Sequence, residues 1–310
     1  MALLCGMLSE SWNGHSLFGA SGFGGEFFPE EIKPDAPEGA GYGARVGHAA
    51  LSLIDGGAEM LALLGGDGTA AYVADAMIRS NRADIPIFGI AMGTANVGPI
   101  ISHDALKKGL PAVERLQSVK AGAVEAFDGE RRVSYGFNDI VIGDTLLATL
   151  DGETITADAA LLAKEGRIER REPGRCIAER VTIRKNGVLS ETSMAAISQI
   201  IASPVDRDDF YGRAVTGILC HSPHTPDKAA ILFSPHPIVT MAPDDYGFKR
   251  PARSETMLFG EDDAIVLSGI DKEALIIADG NPFLRGERDI RLRYMPEIVT
   301  IAIDGRYRHD

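Results

Sequence analysis

A glycine-rich loop between an apolar run and a helix-like segment constrains this chain more than any other feature. The apolar run ends at Leu64, and Gly-Gly-Asp-Gly-Thr follows at residues 65–69. Because glycine has no Cβ atom, such a loop can adopt positive φ angles and let a polyphosphate approach backbone N–H groups. A strand, a phosphate-binding turn and a helix in this order predict an α/β unit that handles nucleotides. The alternative is an ordinary tight turn in which an Asp or Thr side chain caps the helix.

The candidate phosphate ligands in this loop are the glycines and the threonine, Gly65, Gly66, Gly68 and Thr69. The carboxylate between them, Asp67, is the candidate catalytic residue, since phosphoryl transfer needs a group near the attacking hydroxyl. At the tip of a glycine loop a carboxylate could act as a base or as a Mg²⁺ ligand.

The strand, loop and helix pattern then repeats. Residues 85–90 predict a strand, residues 91–98 a second turn and residues 103–119 a helix. Strands that alternate with helices at this interval predict a parallel sheet. Candidate ligand-binding residues in the second turn are Gly93, Thr94 and Asn96. The alternative is a connecting loop in which Asn or Thr caps the helix.

The segments around these units have different characters. Residues 42–55 have helical spacing, whereas residues 1–40 show no sustained period and predict loops with at most a short strand. After about residue 122 short β-type runs dominate, which predicts an antiparallel, sandwich-like domain. We therefore predict an α/β nucleotide-binding domain over 1–121 and a β-rich substrate-binding domain over 122–280. The last segment, 281–310, could return to the first domain.

The charge balance limits the possible partners. The 310 residues include 31 basic and 44 acidic ones, and the net charge of −13 argues against a nucleic-acid-binding surface. No apolar run reaches the roughly 18 residues of a membrane span, so no membrane association is expected. Three widely separated cysteines fit the reducing cytoplasm. An anionic nucleotide then needs backbone amides, a few basic side chains and a divalent cation, for which Mg²⁺ is the natural choice.

Three motifs occur in an order that carries a family resemblance. They are GGDGT at 65–69, GIAMGTANVGP at 89–99 and FNDIVIGD at 137–144. This order resembles the ATP-NAD kinase superfamily, whose wider relatives include diacylglycerol and sphingosine kinases. The second loop is most similar to the acetoin-catabolism protein X group. The resemblance implies a two-domain kinase with an N-terminal α/β domain and a C-terminal β-rich domain that carries the second half of the site.

The resemblance also implies roles for individual residues. Asp67 would assist deprotonation of a ribose hydroxyl, while the neighbouring glycines and Thr69 would cradle the phosphates of the ATP donor. The family's ribose-binding pair falls on Asn138 and Asp139. A carboxylate can accept two hydrogen bonds from a ribose diol, which suits Asp139, although a polar start of a strand is the alternative for this pair. Association into dimers or tetramers is a further implication of the resemblance.

One segment departs from the family pattern. Where NAD kinases carry a run of small hydroxyl residues, residues 203–211 here read Ser-Pro-Val-Asp-Arg-Asp-Asp-Phe-Tyr. Three carboxylates would repel a dinucleotide pyrophosphate unless Arg207 or a metal compensates. His221, His224 and His236 lack the spacing of a strong zinc motif and predict loops instead.

The leading prediction is an ATP-dependent, Mg²⁺-assisted small-molecule kinase that phosphorylates a hydroxyl of NAD, giving NADP, or of a related nucleotide or metabolite. A lipid kinase would need an apolar or basic membrane-contacting surface, which the net charge of −13 disfavours. The alternative from another class is a nucleotide-binding regulatory protein that keeps the fold without phosphotransfer activity.

Overall fold

A computed structural model describes residues 2–33, 35, 38–93, 96–101, 103–174, 176–194, 196–205, 229–241 and 253–305. The helices in this part of the chain are α1 (Ala2–Ser11), α2 (Tyr42–Asp55), α3 (Asp67–Arg79), α4 (Ala105–Lys108) and α5 (Ala159–Glu165). Single-turn 3-10 helices occur at Gly25–Phe27 and Val113–Arg115.

The strands fall into an N-terminal and a C-terminal set. The N-terminal set is β1 (Phe18–Ala20), β2 (Glu30–Ile32), β3 (Leu61–Gly65), β4 (Ile87–Ala91) and β5 (Leu116–Asp128). The C-terminal set is β6 (Arg131–Gly136), β7 (Ile140–Gly143), β8 (Thr145–Leu150), β9 (Glu153–Asp158), β10 (Thr182–Lys185), β11 (Val188–Ser190), β12 (Gln199–Pro204), β13 (Ala229–Ser234), β14 (Glu255–Phe259), β15 (Ala264–Ser268), β16 (Leu275–Ala278), β17 (Asn281–Phe283) and β18 (Ile290–Asp304).

The chain divides into two compact units. Unit 1 falls within Met1–Ala121 and Glu297–Asp310, and unit 2 is Gly122–Pro296. Functional labels for these units remain a prediction. The predicted fold class is confirmed, because an N-terminal α/β unit with parallel strands precedes a β-rich unit. Within the described ranges, no helix is both long and apolar enough to cross a bilayer.

Unit 1 is built around short parallel strands. β3 and β4 pair in parallel from Leu61 opposite Ile87 to Gly65 opposite Ala91. Ile301 of β18 also lies parallel to β4, opposite Ile87. Parallel pairing places the carboxyl ends of β3 and β4 at the same edge of the sheet, so the loops that follow them are neighbours.

Helix α1 contradicts the prediction that residues 1–40 are loops with at most a short strand. Leu4 and Leu8 lie one helical turn apart and pack with Trp12, Phe88 and Ile90 in the core of unit 1. The Trp12 indole N–H donates to the Pro111 carbonyl at 2.8 Å. Strands β1 and β2 then pair in parallel, in a segment for which at most one short strand was expected.

The predicted helix over 103–119 is also wrong. Only the four residues of α4 are α-helical, and strand β5 already begins at Leu116. Gly109 adopts a φ of 68°, and Pro111 cannot donate a helical hydrogen bond, so the helix ends after one turn. By contrast, the helix over 42–55 and the strand, loop and helix around residues 61–79 are confirmed.

Unit 2 contains an antiparallel sheet in the order β14-β13-β12-β7-β16-β17. Strand β7 is central, and its two faces pack into different cores. Ile140 and Ile142 join a cluster with residues of β10, β15 and β18, whereas Val141 joins a cluster with β8, β9 and α5. A strand that is covered on both faces and paired on both edges is a rigid platform for the residues that precede it.

Candidate functional site

The Gly-Gly-Asp-Gly-Thr loop joins the end of β3 to the first turn of α3. Gly66 is extended, with φ −111° and ψ 176°, and Asp67 is the first helical residue. A carboxylate in this position interacts favourably with the positive end of the helix dipole. Asp67 also reaches the loop after β4, because its Oδ2 accepts a hydrogen bond from the Val97 N–H at 2.8 Å.

The loops after β3 and β4 approach each other through two glycines. A Cβ atom on Gly93 would lie 2.8 Å from Gly66 Cα and 2.8 Å from Asn96 Oδ1. Such contacts are closer than van der Waals packing permits, so only glycine fits at residue 93 without movement. Asn96 has a φ of 47°, and its amide exchanges hydrogen bonds with the backbone of Gly93. The second loop is therefore closed on itself and packed on the first.

Burial raises the pKa of Asp67, and the N–H groups of Val97 and Gly98 only partly oppose this shift. Asp67 Oδ2 is held by Val97, whereas Oδ1 is buried and has no hydrogen-bond partner among the described residues. An unsatisfied buried carboxylate oxygen costs free energy unless a ligand, water or ion binds it. The arrangement suits a group that accepts a proton or binds a cation once a ligand is present.

Most of the predicted residues of the first half-site lie together in unit 1. Gly65 ends β3, Gly66 precedes α3, and Gly68 and Thr69 lie with Asp67 in the first turn of α3. Gly93 and Asn96 lie beside Gly66. Thr69 Oγ1 lies 3.1 Å from the hydroxyl of Tyr42, a residue that the sequence analysis did not single out. Thr94 lies outside the described residues.

A cleft of about 570 Å³ opens beside the second loop. This volume is within the roughly 300–1,000 Å³ typical of small-molecule sites. It is lined by Ala91, Met92, Gly93, Asn96, Ile101, His103, Asp104, Leu106, Lys107 and Lys108. Burial lowers the pKa of His103, which favours the neutral imidazole. Lys107 Nζ pairs with the Asp104 carboxylate at 2.9 Å, so these two charges offset each other and Lys108 supplies the remaining positive charge of the lining. This charge favours an anionic ligand, and only the basic pair at 107 and 108 in the sequence could have indicated it.

The second predicted pair, Asn138 and Asp139, lies in unit 2 just before β7. Asn138 and Asp139 are only 6% and 8% exposed. Asn138 Nδ2 donates to Asp139 Oδ2 at 3.1 Å, and Asn138 Oδ1 is buried without a hydrogen-bond partner in the described part of the chain. A Cβ atom on Gly136 would lie 2.4 Å from the Asp139 carbonyl oxygen, so the turn into β7 requires glycine there. A buried, unsatisfied amide oxygen fits a ligand that offers a hydroxyl or amine hydrogen.

Asp279 is a residue of this second site that sequence reasoning missed. Its carboxylate accepts hydrogen bonds from the backbone N–H groups of Phe137, Asn138 and Asp139 at 2.9, 2.8 and 3.0 Å. The only sequence signal was an Asp-Gly turn after an apolar strand, which by itself predicts no more than a hairpin.

Among the described residues, no three His, Cys, Asp or Glu side chains lie close enough together to hold a metal ion by themselves. Mg²⁺ does not need such a group, because it is commonly held by one or two carboxylates together with substrate phosphates and water. The unpartnered Oδ1 of Asp67 fits that role. His221 and His224 lie outside the described residues, as do residues 206–211 of the acidic segment.

Comparisons with known proteins agree with this architecture. The family model of the ATP-NAD kinase N-terminal domain matches residues 5–117. An uncharacterized protein of Archaeoglobus fulgidus is 30% identical over 246 residues, which are 78% of this chain and 73% of the relative. The chain belongs to the ATP-NAD kinase-like superfamily. Kinase activity, nucleotide binding and the assignment to the acetoin-catabolism protein X group stay predictions.

Two solved structures are also similar. A structure of an Archaeoglobus fulgidus NAD kinase in complex with ATP has a TM-score of 0.46 and 15% identity, covering 90% of this chain and 85% of the other. A structure of yeast NADH kinase complexed with NADH has a TM-score of 0.42 and 14% identity, covering 79% of this chain. This chain covers 61% of the yeast protein, less than two thirds of its length.

Proposed function

We propose that this protein transfers a phosphoryl group from ATP to a hydroxyl of NAD, or of a related nucleotide or metabolite. The observation that carries the proposal is the hydrogen bonding of the two carboxylate oxygens of Asp67. One of its carboxylate oxygens is fixed by the Val97 N–H, while the other is buried and unpartnered among the described residues at the end of a glycine loop.

Asp67 acts in this proposal on the hydroxyl that attacks the phosphorus. The bond from Val97 fixes the carboxylate orientation. Oδ1 accepts a hydrogen bond from the hydroxyl and then its proton, as the hydroxyl oxygen bonds to the γ-phosphorus of ATP and the bond from that phosphorus to the β–γ bridging oxygen breaks, releasing ADP. Burial raises the pKa of Asp67, which makes its carboxylate a stronger proton acceptor than a solvated aspartate. Oδ2 is occupied by the Val97 N–H of the second loop, which packs on the first through Gly93.

The glycine loop and the cleft beside it would hold the donor. Gly65, Gly66 and Gly68 allow phosphate oxygens to approach the first turn of α3, where N–H groups and the helix dipole favour an anion. Lys108 adds positive charge in the cleft, where Lys107 is paired with Asp104. Mg²⁺ held by the donor phosphates and water would neutralise phosphate charge.

Asn138 and Asp139 would hold the ribose of a nucleotide. Asp139 supplies carboxylate acceptors, and Asn138 Oδ1, which has no hydrogen-bond partner among the described residues, supplies one further acceptor. A diol offers two hydroxyl donors and so matches this set of acceptors. NAD is the first acceptor to test, although the acidic residues at 206, 208 and 209 favour a less anionic one.

The test is NADP formation from NAD, ATP and Mg²⁺ by the purified protein and by an Asp67→Asn variant. We expect the native protein to form NADP and the variant to lose at least about 100-fold in rate, which is typical when a proton acceptor is removed. Asp55→Asn is the matched control, because Asp55 is an exposed residue at the end of α2 whose carboxylate pairs with Arg82. It should keep full activity.

The stability of Asp67→Asn separates a lost function from a lost fold. A folded-state pKa that is raised means that ionised Asp67 costs the folded state free energy above its ordinary pKa, and a neutral amide avoids this cost. The variant should therefore unfold at the same or a higher urea concentration than the native protein at pH 7. Full turnover by a folded Asp67→Asn variant would overturn the proposal.

The same experiment tests the regulatory alternative. Tight binding of ATP or NAD by calorimetry, with no phosphorylated product from a panel of nucleotides and polar metabolites, would identify a nucleotide-binding protein without transfer activity. We also propose a dimer or tetramer as the working form, and light scattering that gives a mass of about 33 kDa would exclude it.

A further inference from the structure

Asp279 lies where three backbone donors converge. The strand β16 runs antiparallel to β7 with Ala278 opposite Ile140, so the residue after β16 lies beside the residues before β7. There the Asp279 carboxylate accepts the N–H groups of residues 137, 138 and 139 at 2.8–3.0 Å. In return, the Asp279 N–H donates to the Asp139 carbonyl at 3.1 Å. Asp279 is 6% exposed, so these bonds form away from water.

The opposite side of the same loop is held by Ser203. Strand β12 pairs with the other edge of β7, with Ala202 opposite Ile140. The Ser203 hydroxyl donates to the Asn138 carbonyl at 2.6 Å, and Ser203 is fully buried. Asn138 is thus held at its N–H by Asp279 and at its carbonyl by Ser203.

These bonds leave one atom of Asn138 for a ligand. Its Nδ2 is occupied by Asp139, and its Oδ1 is the buried atom for which the described residues provide no partner. Charged acceptors form stronger hydrogen bonds than neutral ones, so three bonds to a single carboxylate hold the backbone from which the Asn138 side chain projects more firmly than a neutral residue could. Asp279 adopts a φ of 47°, a conformation that few residue types other than Gly, Asn and Asp adopt readily.

We propose that Asp279 is a positioning residue for nucleotide binding, which orients Asn138 and Asp139 toward a ribose diol without contacting it. The inference rests on the proposed function in that it takes the ligand of Asn138 and Asp139 to be a nucleotide. Ser203 is the second support of the same loop.

The test compares Asp279→Asn and Ser203→Ala with the native protein. Asparagine has nearly the same shape as aspartate, but one carboxylate oxygen becomes an NH₂ group that cannot accept from the backbone. We expect each variant to raise the KM for NAD by about tenfold, the effect of one lost buried hydrogen bond, with kcat within about twofold of native because Asp67 is untouched. The matched control is Asp262→Asn, an exposed aspartate of unit 2, which should leave both constants unchanged.

Hydrogen exchange supplies a readout that does not depend on turnover. Amides 137–139 should exchange about tenfold faster in Asp279→Asn, while amides of β13 keep their protection. Faster exchange with unchanged nucleotide affinity would make Asp279 purely structural and would overturn the proposal. A lower kcat at constant KM would overturn it as well.

If the proposed function is wrong, the binding and product measurements give a different set of results. If the native protein binds NAD and ATP by calorimetry but forms no product, the transfer step is wrong, and the positioning role is decided by whether Asp279→Asn weakens NAD binding about tenfold. If the native protein binds neither nucleotide, both proposals are overturned together.

Discussion

Folding shifts the pKa values of two carboxylates in opposite directions, upward for Asp67 and downward for Asp263. Burial raises the pKa of Asp67 against the pull of two backbone N–H groups. Burial acts in the same direction on Asp263, but there the Lys185 ammonium, the Gly260 N–H and the Asn186 amide together lower the pKa to about 2. An ionised group whose pKa is raised costs the folded state free energy, whereas one whose pKa is lowered stabilises it. A raised pKa is common among functional carboxylates and a lowered pKa among structural ion pairs, which fits the role proposed for Asp67 and the ion pair of Asp263 with Lys185.

Asp263 carries a prediction for stability at low pH. Its folded pKa of about 2 lies below the ordinary value of 3.8, so its stabilising effect is complete above pH 4 and disappears as the pH falls toward 2. Because its side chain is 20% exposed, solvent screening reduces this effect to about 1 kcal/mol. Asp263→Asn should lower the free energy of unfolding by that amount at pH 7, and urea titrations should show the difference shrinking between pH 4 and pH 2.

The neighbouring residue provides the control for this prediction. Asp262 is exposed and precedes Asp263 in the same turn, so Asp262→Asn should change the free energy of unfolding by less than about 0.5 kcal/mol at every pH. A native-to-Asp263→Asn difference that stays constant from pH 7 to pH 2 would contradict the assigned ion pair.

The site residues differ in how far the sequence could reveal them. Asp67 could be predicted because its partners in the loop are adjacent in the chain and glycine spacing is a local signal. Asp279 could not, because its role depends on strand register that brings it beside Asn138, 141 residues away. Likewise Ser203 was noticed only as part of a departing segment, and its bond to Asn138 follows from the pairing of β12 with β7.

At the scale of elements, the loops after β3 and β4 act as one structure. The Met92 N–H donates to the Gly65 carbonyl at 2.9 Å, and Asp67 bonds to Val97 at 2.8 Å. Together with the approach of Gly66 to Gly93, these contacts tie each loop to the other. A change in the second loop should therefore displace the Asp67 carboxylate, which is bonded to it.

Gly93→Ala tests this coupling. Its Cβ atom would lie 2.8 Å from Gly66 Cα, so the loops must separate, and we expect a loss of about 1–3 kcal/mol in the free energy of unfolding together with weaker ATP binding. Gly6→Ala is the matched control, since a Cβ atom at this exposed position of α1 meets nothing within 4 Å. Alanine there should raise stability by about 0.5–1 kcal/mol without affecting ATP binding. Equal effects of the two changes in urea denaturation and calorimetry would refute the coupling.

The elements that sequence reasoning missed have local physical causes. In α1, the buried Leu4 and Leu8 were a helical signal, but their neighbours are also apolar, so no amphipathic period stood out. In residues 103–119, helix-forming residues such as Ala105 and Lys108 were followed by Gly109 and Pro111, which end the helix after one turn. The helix propensity of this segment was outweighed by Gly109 and Pro111, which break the helix, and by the pairing of β5 in a sheet.

At the scale of the whole molecule, two long strands contribute residues to both units. β5 crosses the division after Ala121, and β18 crosses it after Pro296. The end of the chain thus completes a unit that begins at its start. Within unit 1, Asp304 is 4% exposed, and its carboxylate pairs with Arg115 at 2.7 Å. Lys120 Nζ donates to Thr300 Oγ1 at 2.8 Å, which adds a further tie to the returning strand.

A chain that stops at Pro296 should therefore lose the stability of unit 1 while unit 2 stays folded. Val299, Ile301 and Ile303 are buried in the deleted part of β18, and burial of three such side chains is worth about 5–9 kcal/mol. This is comparable to the free energy of unfolding of an ordinary domain, about 5–15 kcal/mol, so the shortened unit 1 would retain little stability. Hydrogen exchange should show β3 and β4 unprotected and β7, β12 and β16 still protected.

A chain that stops at Gly305 is the control, because it keeps all of β18. It should retain native protection in β4, where Ile87 lies opposite Ile301. If the shorter chain protects β3 and β4 as well as the control does, residues 297–304 are dispensable for unit 1, and its core must be sustained by residues before 122. If unit 2 loses protection too, the two units unfold together, and an ATP-binding defect in any β18 variant would report global unfolding instead of damage to the glycine loop.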